Sequence, residues 1–102
     1  MGTYINKLSF DNTGTGEEEN PVSNKFQELQ VTVVGLATGS FTLKTKAEDG
    51  DMFEDVVDGT IADLSTNRTL IIEDTAIDEI STSVSAGTAY TLKIKQTSFK
   101  DA

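Results

Sequence analysis

The sequence predicts an all-β fold, an antiparallel β-sandwich of about seven or eight strands. Three observations carry this. Apolar and polar residues alternate with period two along most of the chain. Turn signals return at intervals of roughly 8–12 residues. No run sustains the periodicity of an amphipathic helix. With 102 residues the chain is one domain, long enough to close a core without disulfide or metal. It divides into an N-terminal strand or arm (1–10), a polar loop (11–24) and the sandwich itself (25–102).

In TYINKLSF, Tyr4, Leu8 and Phe10 fall on one side of an extended segment, with Asn6 on that same side. DNTGTGEEENPVSN (11–24) is polar and holds the only proline, Pro21. Loops longer than about 12 residues tend to be functional or mobile. FQELQVTVVGL alternates, with Leu29, Val31 and Val33 facing one way. Phe26 is out of phase with them, which places a bulge near Gln27. ATGS (37–40) reads as a turn into SFTLKTKA, where Phe41, Leu43, Thr45 and Ala47 face inward and Thr42, Lys44 and Lys46 outward.

EDGD reads as a hairpin turn, since Asp-Gly is a strong hairpin signal. MFEDVVDGTI returns from it with Phe53, Val56 or Val57, and Ile61 as core candidates. LSTNR is a turn and TLIIED a short strand. TAIDEISTSV reads as a loop leading into a strand, although Ile77 and Ile80 also suit one helical turn. SAGT (85–88) turns, and AYTLKIKQTSF closes the chain with Tyr90, Leu92 and Ile94 inward and Thr91, Lys93 and Lys95 outward. FTLKTK (41–46) and YTLKIK (90–95) share one plan. Their likeness fades outside six residues, so it reads as a common strand solution rather than a duplication.

Composition excludes several functions. There is no histidine and no cysteine. This removes the commonest general base, thiolate metal sites and every Ser-His or Cys-His arrangement. Seventeen acidic residues against eight basic ones give a net charge of −9. Such a field repels phosphate backbones and anionic lipid, so neither nucleic acid nor membrane is an expected partner. The start MGTYINKLSF lacks the features of a signal peptide, and Asn6 stands where a myristoylation motif has Ser or Thr. No stretch nears the ~20 apolar residues that span a bilayer. The expectation is a chain made and kept soluble in a cytoplasm.

KAEDGDMFEDVVDG (46–59) concentrates six carboxylates: Glu48, Asp49, Asp51, Glu54, Asp55 and Asp58. An EF-hand loop that began at Asp49 would need an acid where Phe53 and Thr60 stand, so that spacing fails. Calcium gathered between loops, with Glu73, Asp74, Asp78 or Glu79, stays open behind the simpler reading of a hairpin. In that reading Glu54 or Asp55 faces Lys44 or Lys46 across a strand pair. No cofactor is expected. Paired carboxylates for glycoside hydrolysis would need a cleft, and there is no tryptophan to stack a sugar. No catalytic constellation assembles, and the expectation is a protein that is not an enzyme. Asn67-Arg68-Thr69 matches a glycosylation sequon and reads as chance, and GTGEEEN (14–20) reads as a solvated loop.

VTVVGLATGSFTLKTKAEDGDMFEDVVDGTIADLS (31–65) and STSVSAGTAYTLKIKQTS (81–98) resemble immunoglobulin-like or fibronectin-like sandwich domains on tailed-bacteriophage heads and tails. SAGTAYTLKIKQ is similar to the Gly-Thr-x-Tyr turn and long strand of the fibronectin type. No Cys…Trp…Cys core is present, so the chain does not resemble an antibody domain. The resemblance implies an immunoglobulin-like sandwich and a virion structural role. The first expectation is a capsid decoration or cement subunit; the alternatives are a tail or fibre accessory, or a ligand- or carbohydrate-binding module. It implies the major capsid protein or other virion proteins as partners, a homo-oligomer or symmetric array, and location in the virion after synthesis in host cytoplasm. Tyr4, Ile5, Leu8 and Phe10 are the candidate protein-contact residues, an apolar segment set off by the polar loop. The same residues also read as the first strand of the sandwich, and both readings stay open.

Overall fold

The computed structural model describes residues 4–23, 26–47, 50, 52–73 and 77–98. They form six strands: β1 (Tyr4–Asn12), β2 (Glu18–Pro21), β3 (Glu28–Ala47), β4 (Glu54–Ile61), β5 (Thr69–Glu73) and β6 (Ile77–Ser98). All belong to one antiparallel sheet, and there is no helix among the described residues. β3 and β6 pair along their whole length, from Glu28 against Thr97 to Ala47 against Ile77. β1 flanks the C-terminal half of β6, and β2 its N-terminal half. β5 and β4 do the same for the N-terminal and C-terminal halves of β3. One margin of the sheet is therefore β1 followed by β2, and the other is β4 followed by β5.

The sheet folds over on itself. Thr82 and Tyr90 both lie on β6, eight residues apart, or roughly 26 Å along a straight strand. Their hydroxyls are 3.0 Å apart. The Phe41 and Tyr90 rings meet edge to face at 6.4 Å between centroids. The fold line crosses both long strands where the register shifts, between Gly35 and Ala37 and between Thr38 and Phe41. Gly35, Gly39 and Gly87 there take φ of 125°, 77° and 90°. Only glycine reaches such values at little cost, and bulged pairs bend a sheet.

Arg68 holds the bend from outside. Its guanidinium donates to the carbonyls of Val33 (3.3 Å) and Ala37 (2.9 Å), and its own carbonyl accepts from the Val33 amide at 2.8 Å. These bonds satisfy backbone groups that the bulge withdraws from the ladder.

Between the two halves lies one core. Leu29, Val31, Val33, Phe41 and Leu43 enter it from β3, and Ile77, Ile80, Tyr90, Leu92 and Ile94 from β6. Alternation places these as expected, but several details differ. ATGS and SAGT are not turns. Both lie inside continuous strands, because positive-φ glycines serve a bulge as well as a turn. That merges expected pairs of strands, so the predicted sandwich of about seven or eight strands becomes six strands in a single folded sheet. Phe26 precedes β3 rather than bulging within it. Ala47 is exposed because the register slips between Lys46 and Ala47. Val56 packs against the core while Val57 is 85% exposed. Part of the expected polar loop, Glu18 to Pro21, is strand β2. Pro21 is tolerated there because β2 pairs on one side only, with β6.

The two halves of the chain repeat one plan. β1–β2–β3 have 9, 4 and 20 residues, and β4–β5–β6 have 8, 5 and 22. FTLKTK and YTLKIK, 49 positions apart from 41 to 90, occupy corresponding places in β3 and β6. Each half lends its two short strands to the other half's long strand. The local likeness in sequence thus marks a repeat of whole elements, which four identical residues in a stretch of six do not reveal by themselves.

Candidate interaction surfaces

β1 positions all four candidate contact residues, but not for one purpose. Tyr4 and Ile5 are about half exposed, at 49% and 52%. Leu8 and Phe10 are half-buried and pack against the core. The whole strand is paired with β6, Tyr4 against Ser98 through Asn12 against Tyr90. The segment is thus the sheet's first strand, and only its N-terminal end presents apolar side chains to solvent.

The β1–β2 margin is bridged by polar side chains. Asn12 Nδ2 donates to Asn20 Oδ1 (3.1 Å) and to Thr82 Oγ1 (3.2 Å), which also bonds the Tyr90 hydroxyl. This ties the two halves together through buried groups, each with a partner. Gln96 continues the seam. Its Oε1 accepts from Asn6 Nδ2 and the Ser23 amide, and its Nε2 donates to the Ser23 carbonyl. The turn between β1 and β2 closes on Glu18, which accepts from the Thr13 amide (2.7 Å), the Thr13 hydroxyl (2.8 Å) and the Gly14 amide (3.2 Å). Burial works against ionisation of Glu18. Hydrogen bonds from Thr13, Gly14 and Tyr90 outweigh it and hold the carboxyl below its ordinary value.

The β4–β5 margin is open. A cleft of about 550 Å³ lies there, lined by Val56, Val57, Asp58, Ile71, Ile72 and Glu73. Val57 and Ile71 are exposed, at 85% and 48%. Two strand residues in a row cannot both face the core, so DVVDG had to send one valine outward. Opposite Leu43 the ladder is interrupted. β4 pairs with β3 at Glu54–Asp55 and again at Thr60–Ile61, and Val56 to Gly59 bulge between. Asp58 sits there at φ 62°, an uncommon conformation for a residue other than glycine. The doublet Val56-Val57 was a legible signal; the convergence of β4 with β5 was not.

Of the acidic stretch, Glu48, Asp49 and Asp51 lie outside the described residues, as does Asp74. Asp55 stands opposite Lys44 in register, but Lys44 Nζ pairs with Glu17 across β6 at 3.4 Å. Lys46 is 3.8 Å from Glu79 and 5.8 Å from the Phe53 ring centroid. Asp55 thus faces Lys44 as expected, while the ion pairs of both lysines go to Glu17 and Glu79. Among the described residues no three acidic side chains converge as a metal site would require. Among the described residues no helix is long and apolar enough to cross a membrane.

No family model matches the chain, and no curated protein matches it. Solved structures do. A crystal structure of the SPBc2 prophage-derived protein YomS aligns with a TM-score of 0.61, over 93% of this chain and 96% of that one, at 17% identity. A chain from the Bacillus endospore appendages, described as a novel family of disulfide-linked pili, aligns with a TM-score of 0.57. That alignment covers 94% of this chain and 87% of the other at 13% identity. At such identities the likeness is one of fold. The chain has no cysteine, so the covalent links named for those pili have no counterpart in its own side chains.

Proposed function

We propose that this chain is a non-enzymatic structural protein of a bacteriophage particle, a capsid decoration or cement subunit bound to the assembled shell. The observation that supports this is a fold shared, almost end to end on both chains, with a prophage-derived protein. Fold alone does not assign function. The site-level observations agree with it: polar side chains staple one margin of a small sheet, and apolar side chains line the other. The partner in this reading is the major capsid protein or another virion protein, met many times over by symmetry, so that weak contacts suffice. The reading needs a compact β-scaffold with free margins and does not depend on an immunoglobulin-like strand order. A tail or fibre accessory is the second reading, favoured by the fold shared with a pilus protein.

The test is reconstitution. Particles of the source phage assembled without this gene are mixed with purified chain and sedimented. Saturable co-sedimentation with heads at a fixed ratio per shell is expected. Binding to tails alone would favour the second reading, and no binding to either would refute both.

A further inference from the structure

We infer that the cleft between β4 and β5 is a docking site for an extended, basic segment of another protein, laid as an added strand along the free edge of β5. The claim deepens the structural reading above by giving the partner a chemistry. Four observations meet at this place. First, among the described residues β4 and β5 each pair on one side only, with β3, which leaves their outer backbone groups open to another strand. Such edges are templates for strand addition. Second, Val57 and Ile71 are both exposed and both line the cleft. A strand carrying an apolar side chain at alternate positions would cover both. Third, Asp58 and Glu73 rim the cleft, and neither carboxylate has a hydrogen-bond or ion-pair partner among the described residues. Fourth, the repeat of elements offers an internal comparison. The matching margin, β1 with β2, also pairs on one side only, but there polar side chains, Asn12 with Asn20 and Thr82, bridge the place where this margin has an apolar cleft.

Charge selects the occupant. The rim is acidic and the whole chain carries −9, so a second copy is repelled while a lysine- or arginine-bearing segment is attracted. The apolar wall requires that the basic residues alternate with apolar ones. Strand addition gives affinity through the backbone, and the side chains of the cleft give selectivity.

The test uses the whole chain, labelled with nitrogen-15, and a capped probe peptide of sequence Lys-Val-Lys-Val-Lys-Val-Lys. Saturable amide shifts confined to β4 and β5 are expected, together with slowed hydrogen exchange in β5. Val57→Ser and Ile71→Ser remove apolar area from exposed residues without adding charge, so they should keep the melting midpoint of the parent within a few degrees. They should weaken binding about tenfold or more, as truncated anchor residues do. The matching Glu-Val peptide should not bind. Shifts at β1 and β2, equal binding by the two variants, or no saturable shift at all would overturn the inference. Concentration-dependent shifts at Val57 and Ile71 without peptide would identify a second copy as the occupant and overturn it equally. None of these outcomes depends on phage particles, so the site can fail while the virion reading stands, or the reverse.

Discussion

Replacing Gly87 with alanine should be among the most damaging single-atom-scale changes in this protein. Gly87 lies on the fold line of β6 at φ 90°, opposite Ala37. A Cβ there would stand 2.5 Å from the Leu36 carbonyl oxygen, 2.6 Å from the Thr38 nitrogen and 2.8 Å from the Ala37 Cα. All three are backbone atoms, so no rotamer change relieves them. A left-handed φ costs alanine about 1–2 kcal/mol. Forcing a methyl into a packed site costs about 1–3 kcal/mol more. The control is Gly16→Ala. Gly16 also has positive φ, 68°, but a Cβ there meets nothing within 4 Å. Any stabilisation from stiffening the unfolded chain is common to both variants and cancels in their difference. Gly87→Ala should therefore be less stable than Gly16→Ala by about 1–3 kcal/mol. That is a large part of the ~5–15 kcal/mol typical of a domain. Urea unfolding of the two variants, at matched slopes, measures the difference. A gap below about 0.5 kcal/mol would refute the claim that close backbone approach at Gly87 sets the fold line.

Arg68→Ala should cost about 1–3 kcal/mol, since it strips charged donors from the Val33 and Ala37 carbonyls; urea midpoints report it. Tyr90→Phe should cost about 1 kcal/mol, because Thr82 keeps Asn12 as a partner; the melting midpoint should fall by roughly 4–8 °C. Glu18 has its carboxyl held below the ordinary 4.5 in the folded chain. Its contribution is therefore full above that value and lost as pH falls through the lower folded one. Stability of the parent and of Glu18→Gln should differ at neutral pH, by about 0.5 kcal/mol or less for so exposed a group, and converge in acid. Calcium followed by chelator should leave the melting midpoint unchanged, and a calcium-dependent rise would revive a metal role for the acidic stretch.

Much of the fold was legible because a half-buried strand writes its burial into alternate residues. Leu29, Val31 and Val33 on β3, and Tyr90, Leu92 and Ile94 on β6, follow that rule to the core. What failed was punctuation. Gly39 and Gly87 signal positive φ, but a bulge inside a strand asks for that as much as a turn between strands does. The sequence pattern has no term for which of the two occurs, so four segments were expected where two long strands run. β2 was hidden for a different reason. Glu18, Glu19, Asn20 and Pro21 carry no apolar alternation, since a short edge strand contributes hydrogen bonds and little core. The candidate contact residues were legible as an apolar strand, Tyr4 to Phe10, but the sharing of Leu8 and Phe10 with the core depends on register with β6. The β4–β5 cleft joins Val57 and Ile71 across a connection whose path no local pattern encodes.

A stoichiometric role in a phage particle is tested by peptide mass spectrometry with copy number on purified particles of the source phage or induced lysogen. This chain should be found in every particle, in hundreds of copies for a shell subunit and in a few to a few dozen for a tail or fibre accessory. Complete absence from intact, infectious particles would contradict it.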